Sequence, residues 1–274
     1  MQSLQSTRSA PLSPFLKWPG GKRLLVKEIA PLLSNISGSY YEPFIGGGAV
    51  FFGLGHKPAF LSDSNEELIN CYTQVRDQPE SLIEILSKLK NSEADYYAIR
   101  KRIETSALRR AARFIYLTAL SFNGIYRLNL KGEFNVPYGH RTTRLHYDAE
   151  KIRAASEALA NVVLTPGDFE ECSDWAKRGD AIYFDPPYTV AHENNGFLKY
   201  NDKIFSWADQ VRLHNKAKDL AKRGCRVVVS NANHSSLLEL YKDFNVKTVS
   251  RSSVIAASGN FRGSINECLF YNDL

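Results

Sequence analysis

The residues best equipped for chemistry in this chain of 274 residues are the tetrad Asp185-Pro186-Pro187-Tyr188, which follows the apolar run "AIYF". Prolines lack the N–H that a strand ladder needs, so the strand must stop before them. A carboxylate, two rigid residues and an aromatic ring are thus expected just past a strand's carboxyl end, where open α/β sheets bind ligands. The same four residues would also make a rigid turn, with Asp185 as a local cap. The tetrad alone leaves both readings open.

A second pattern lies nearer the start. "EPFIGGGAVFF" reads as a strand end, a glycine turn and a helix start, and Asp63 stands seventeen positions beyond Gly46 at the end of the next apolar run. An acid placed there can hydrogen-bond a ribose hydroxyl. Glycine before a helix is common in its own right, and a dinucleotide would set its phosphates over the helix N-terminus. Glu42, immediately ahead of the turn, is a poor neighbour for a pyrophosphate and a good one for a cation. The pair points toward S-adenosylmethionine (SAM), which carries a sulfonium and no phosphate.

A third pattern is electrostatic. The chain has a formal net charge of +6, yet residues 97–147 hold ten Lys/Arg against Glu104 and Glu133, which is +8 and leaves the rest at −2. Tyr97, Tyr116, Phe122, Tyr126, Phe134 and Tyr138 lie among these cations. A basic run is often only a solvated helix face. Interleaved with aromatics and turn signals, it reads better as a polyanion-binding surface.

The elements that must position these groups follow from spacing. Strands are expected in "SYYE", "PAFLSD", "NVVLTP", "DAIYF" and "CRVVVSNAN", with two more in the tail from Lys247 around a Gly/Ser loop. Helices are expected over "KRLLVKEIAPLL", "NEELINCYTQVRD", "PESLIEILSKLK", "ALRRAARFIYLTAL" and "FSWADQVRLHNKAKDLAKRG", and a β-hairpin in "YRLNLKGEFNVPYG". Strands alternate with helices at both ends around a helical, basic middle, which predicts an α/β sheet with an inserted helical domain. Hydrophobic residues at 43% and charged residues at 23% suit a globular core, and no run approaches the ~20 apolar residues of a membrane span. Residues 1–14 have no apolar h-region and are expected to be a loose tail rather than a signal peptide. Cys71, Cys172, Cys225 and Cys268 show no metal-ligand spacing, so no metal site is expected, and they fit reduced thiols in a cytosol.

Taken in order, "FLKWPGGK", "EPFIGGGAVFF", "SDSNEELIN", "NGIYRLNLKGEFNVPYG", "GDF" and "DPPY" resemble the Dam-like DNA adenine N6-methyltransferases, from about Phe15 to Asn272. DPPY is shared by several amino-group methyltransferases, whereas "LKWPGGK" with "FNVPYG" resembles the members that methylate adenine in GATC. The resemblance implies a Rossmann-like SAM-dependent sheet from residues 15–70 and 160–274, and an inserted, mainly helical DNA-recognition domain at 71–159 carrying the hairpin. It implies that Trp18 and Lys22 help enclose SAM, and that Phe44, Gly46 and Gly48 form the loop beneath its methionine part. Asp63 matches the ribose acid, Asp168 and Phe169 the segment beside the cofactor adenine, and Asp185, Pro186, Pro187 and Tyr188 the catalytic tetrad.

The chemistry of such a tetrad is intelligible. An exocyclic amine is a poor nucleophile because its lone pair is delocalised into the ring. The carboxylate of Asp185 and the carbonyl of Pro186 can accept its two N–H bonds and draw the nitrogen toward tetrahedral geometry, with the prolines holding both acceptors rigid. Tyr188 offers a face for a base flipped out of the duplex. Cytosine N4 could use the same clamp, although SPPY is the commoner form there, and a relative that binds DNA without catalysis is a further alternative. Carbon-5 methylation needs a cysteine, normally after proline, and none of the four follows one.

For the partner, double-stranded DNA, the resemblance implies Arg127 as a guanine reader and Lys17 as the reader of an outer guanine, since arginine or lysine on guanine is the commonest specific groove contact. Phe122, Asn123, Ile125 and Pro137 would contact or wedge neighbouring bases, and Arg141, Arg144 and Arg262 would meet phosphates. No obligate protein partner is expected, and the expected compartment is the cytoplasm of a bacterial or phage-infected cell.

Overall fold

Seven short runs of apolar and β-branched residues pair into one sheet in the computed structural model, which describes residues 11–34, 36–129, 131–141, 146–189, 205–252 and 264–273. The strands are β1 (Tyr40–Glu42), β2 (Ala59–Asp63), β3 (Val163–Pro166), β4 (Ala181–Phe184), β5 (Arg226–Ala232), β6 (Asn245–Ser252) and β7 (Ser264–Tyr271). Their order is β3-β2-β1-β4-β5-β7-β6. The first five pair in parallel, and β7 runs antiparallel to both β5 and β6. This is the expected Rossmann-like α/β sheet. All four residues of β4 are buried, as expected of a strand covered on both faces.

Strand order reverses between β1 and β4. Connections leaving their carboxyl ends diverge there, which is where such sheets leave a binding crevice. The glycine turn leaves β1 and the tetrad leaves β4, so topology brings together two segments about 140 residues apart in the chain.

The helices are α1 (Val26–Ile29), α2 (Ala49–Leu54), α3 (Glu66–Asp77), α4 (Pro79–Ser87), α5 (Glu93–Arg100), α6 (Ala107–Leu120), α7 (Ala149–Leu159), α8 (Phe169–Ser173), α9 (Trp207–Lys222) and α10 (Ser235–Leu240). Their starts follow capping chemistry: Asn65 Oδ1 accepts from Leu68 N at 3.2 Å, and Ser206 with Asp209 forms a reciprocal capping box. One core joins the sheet to α2, α3, α4, α6 and α7 through Phe51, Leu68, Tyr72, Leu82, Ile115 and Leu159. A second packs α9 and α10 on the opposite face through Leu213, Leu220, Val227 and Leu237. A small third core of Tyr96, Tyr116, Leu120, Phe134, Val136 and Tyr138 supports the basic middle segment.

Two elements differ from expectation. "KRLLVKEIAPLL" makes one α-turn and then a 3₁₀ turn over Ala30–Leu33, because Pro31 has no N–H to continue the α pattern. The hairpin is shorter than its alternation suggests: among the described residues it pairs through the bridge Leu128↔Phe134, with Asn129 N donating to Glu133 O at 2.8 Å and Asn135 N to Arg127 O at 3.1 Å, and Tyr138 beyond it bridges to Ser121. Its turn is built by a side chain: Asn129 Oδ1 accepts the backbone N–H of both Lys131 and Glu133 at 2.9 Å, a local bond that competes with a strand ladder.

Candidate active site

At the end of β4, Asp185 leaves the sheet into a ring of polar partners. Lys22 Nζ donates to its Oδ1 at 2.8 Å, and Ser230 Oγ, near the end of β5, donates to the same oxygen at 2.7 Å. The Ser230 hydroxyl lies 2.9 Å from that of Tyr183. Burial pushes the Asp185 carboxyl up, and the Lys22 ammonium and Ser230 hydroxyl pull against that rise without cancelling it. Lys22, itself buried, also donates to Gly20 O at 3.1 Å and sits 4.7 Å from the centre of the Tyr188 ring. Pro186 is buried, and the carbonyl of Pro187 meets the side chain of buried Gln210 at 3.4 Å. Asn231 anchors Gln210 in turn, through a 2.9 Å bond to its Oε1.

The β1 turn faces this ring from the other side of the reversal. Gly46 and Gly48 have φ of +46° and +70°, and a Cβ on Gly46 would come within 2.9 Å of Trp18 Cδ1. Glycine is thus required both by backbone handedness and by the indole lying on the turn. Asp63 ties the turn to β2: its Oδ2 accepts from Gly46 N at 3.1 Å and its Oδ1 from Asn65 N at 3.0 Å. Burial pushes Asp63 up to about 6 against those two bonds. Glu42 is buried deeper, accepts a 2.7 Å bond from Tyr40 and is pushed up to about 8, chiefly by burial.

Trp18 stacks against Phe114 and Tyr126 at 5.9 and 5.6 Å, so it braces the glycine turn against α6. Phe44 packs among Phe169, Phe184 and Phe205. Asp168 caps α8 by accepting from Glu170 N at 3.0 Å and also meets Arg212 at 2.9 Å. Arg212 lies 5.0 Å over the Phe169 ring and binds Glu170 and Asp209 as well. The residues expected around a cofactor therefore gather on the carboxyl edges of β1, β2, β3 and β4.

Several residues expected to read DNA lie together on the loops that follow α6. Phe122, Asn123, Arg127 and Pro137 are exposed and Ile125 is half-buried. Phe122 N donates to Pro137 O at 2.9 Å, which sets these two residues side by side. Arg127 Nε donates to Asn135 Oδ1 at 2.8 Å. Lys17 lies against Gly124 at the base of this loop; partial burial, then the charge of Arg141, lowers its pKa. The carbonyl of Arg141 accepts from Asn91 Nδ2 at 3.0 Å. Arg113 is taken up by the carbonyls of Ile99 and Arg100, which ties it to the scaffold, and Arg110 pairs with Glu67 at 2.9 Å on the surface. Arg144 and Arg262 lie outside the described residues.

Residues 18–255 match the D12 class N6 adenine-specific DNA methyltransferase family. The chain belongs to that family. It is 42% identical to the type II methyltransferase M1.LlaDCHI of Lactococcus lactis subsp. cremoris, over 95% of each chain. It is 36% identical to the type II methyltransferase M.MjaIII of Methanocaldococcus jannaschii, covering 95% of this chain and 99% of that one. With the DNA adenine methylase of Haemophilus influenzae the identity is 31%, over 93% and 92%. This methyltransferase thus acts on adenine in DNA, which sets aside cytosine N4 and the non-catalytic alternative. Among its described residues no helix is long and apolar enough to cross a membrane.

Several residues of the methyltransferase's site had no signal in the sequence. Ser230 reaches Asp185 across 45 positions and Glu267 reaches Tyr188 across 79. Arg212 and Gln210 sit on α9, whose spacing reads as an ordinary amphipathic helix. Only the strand order brings these four to the tetrad and to Asp168.

Proposed function

We propose that this enzyme moves the methyl group of SAM to N6 of an adenine flipped from duplex DNA, within the sequence GATC. The observation that carries the reading is the Asp185 carboxyl, held on a double proline at the β1/β4 reversal and joined through Lys22 to the ring of Tyr188. Asp185 and the carbonyl of Pro186 accept the two N–H bonds of the target amine, which frees its lone pair. Tyr188 supports the extruded base. Asp185 holds the amine and need not abstract its proton, because the ammonium formed on alkylation is acidic enough to lose it to water.

The chemistry of the site fits SAM. Its walls are the carboxyl of Asp63 and the aromatic rings of Phe44 and Phe169, which suit a cation; Glu42, expected to favour one by charge, is instead buried beneath the turn and held neutral by burial. Both oxygens of Asp63 retain lone pairs for ribose hydroxyls beyond the N–H groups they already accept. Gly46 and Gly48 let the turn pass tightly under Trp18 and against Tyr72 and Phe52, Trp18 and Lys22 close one side, and Asp168 borders the other. When bound, SAM supplies an electrophilic methyl group.

For sequence reading, the exposed Arg127 fork steadied by Asn135 supports a guanine contact. Lys17 supports a second one at the loop base, with Phe122, Asn123, Ile125 and Pro137 against the neighbouring bases. Arg141, Arg144 and Arg262 are assigned to phosphates. GATC itself rests on the "LKWPGGK" and "FNVPYG" motifs.

The test is Asp185→Ala. Methyl transfer should be abolished while SAM affinity stays within about an order of magnitude, since the lost interaction is made with the amine. Substantial turnover at saturating SAM and DNA would sink the clamp.

A further inference from the structure

Glu267 occupies a place where a carboxylate is expensive. It is fully buried in β7, in register with Ala232 on β5 and Val249 on β6. A charge so far from water persists only when partners hold it. Two of those partners belong to the methyl-transfer site. Tyr188 Oη donates to Glu267 Oε2 at 2.7 Å, and the same oxygen lies 3.7 Å from Lys22 Nζ.

The arrangement closes on itself. Glu267 holds the hydroxyl of Tyr188, Lys22 sits over the ring of Tyr188, and Lys22 binds Asp185. A tyrosine side chain has two rotatable bonds, so fixing its hydroxyl together with its face fixes the plane of the ring. Lys22 is likewise held from two sides, by the carboxylates of Glu267 and Asp185. An apolar residue would fill the position in β7 without strain on the sheet, yet it could do neither of these things.

We propose that Glu267 is a positioning residue of methyl transfer. It orients the Tyr188 ring for the extruded adenine and shares the Lys22 ammonium with Asp185, and so sets the geometry of the clamp from a strand that carries no part of it. The proposal rests on the clamp reading given above. It also explains the use of the reversed strand: because β7 runs antiparallel, its early residues lie at the carboxyl edge of β4 and β5. Glu267, three residues after its start, can thus reach the tetrad.

The test is a double-mutant cycle on the full-length protein, using Glu267→Gln and Tyr188→Phe singly and together, on a duplex with one target site. A bond between a tyrosine hydroxyl and a carboxylate is charge-assisted, so each single variant should lose about tenfold or more in kcat. KM for SAM should stay within about threefold, because the bond orients the base rather than the cofactor. The double variant should lose little beyond the worse single one, since both remove the same contact. A duplex with 2-aminopurine at the target position adds a spectroscopic signature. In both single variants the flipped base should be less well stacked on Tyr188, giving fluorescence different from that of the parent. Thermal unfolding followed alongside identifies a purely structural loss, which would lower kcat through the amount of folded enzyme and leave fluorescence per folded molecule unchanged.

A parent-like kcat in Glu267→Gln, or losses that multiply in the double variant, would overturn the proposal. The control is Asp185→Ala. If it is inactive while Glu267→Gln behaves as the parent, only the role of Glu267 fails. If Asp185→Ala retains turnover, the clamp itself fails.

Discussion

Replacing Lys22 by methionine removes the one positive charge that the described structure places against Asp185, at nearly constant volume. The ammonium lies 2.8 Å from Asp185 Oδ1 and 3.7 Å from Glu267 Oε2, and is itself buried. An opposite charge at such distances depresses a carboxyl pKa by about 1–3 pH units. Without it, Asp185, already raised by burial beside Glu267, Tyr183 and Tyr188, should climb by about that amount, with the Ser230 hydroxyl alone among the described residues left to favour its charged form. An amine clamp needs the ionised carboxylate. The acid limb of kcat against pH should therefore move about 1–3 pH units toward alkali in Lys22→Met, with partial recovery of turnover above neutrality. Stability should show the same cause with a definite sign. A carboxyl whose folded pKa lies above its unfolded value stabilises most below the unfolded pKa and loses that contribution as pH rises through the folded one. Lys22→Met should thus be destabilised by about 3–5 kcal/mol at alkaline pH, the typical cost of an uncompensated buried charge, and by much less near pH 5. The assay is tritium transfer from labelled SAM into duplex DNA from pH 5.5 to 9, beside thermal unfolding over the same range. An acid limb that stays in place, with a stability loss independent of pH, would refute the coupling of Lys22 to Asp185.

Asp63→Ala should raise KM for SAM more than it lowers kcat, because a ribose contact is made equally in ground and transition states; steady-state kinetics decide this, and unchanged SAM affinity would make the acid structural. Arg127→Ala should remove about 1–3 kcal/mol of discrimination at one base pair without altering the salt dependence of binding, since a base contact neutralises no phosphate. Equal weakening on GATC and singly substituted sites, with a flatter salt slope, would assign Arg127 to the backbone. Glu42, pushed up to about 8, keeps its proton at neutrality and loses its stabilising contribution as pH rises from about 4.5 through 8. Glu42→Gln should therefore unfold later than the parent at pH 9, by a few kcal/mol at about 1.4 kcal/mol per pH unit, and similarly near pH 5. Parallel stability profiles from pH 5 to 9 would show that Glu42 is not buried as a neutral acid.

The parts of the fold that sequence could show were those with a local cause. β4 reads as a strand because four buried apolar residues precede two prolines, and α6 reads as a helix from Ala107 to Leu120 because its apolar positions recur on one face. Asp63 stood out because its distance from Gly46 is set by one helix and one turn. What could not be read depends on strand order. The sequence contains nothing that says β7 is reversed, and only that reversal carries Glu267 to Tyr188. Ser230 belongs to an apolar strand and its hydroxyl gains meaning only when β5 lies beside β4. Resemblance marked Trp18 for the cofactor, but its stacking on Phe114 and Tyr126 required the inserted helices to be in place. The hairpin was legible from its alternating side chains, and the part that was not is the turn, which the side chain of Asn129 closes.

The most direct test of the central proposal is to map modified bases in DNA from cells expressing the parent enzyme and, separately, Asp185→Ala. The account predicts N6-methyladenine at GATC with the parent and none above background with the variant. N6-methyladenine confined to another sequence would contradict the assignment of the site, and methylation persisting in Asp185→Ala would contradict the amine clamp.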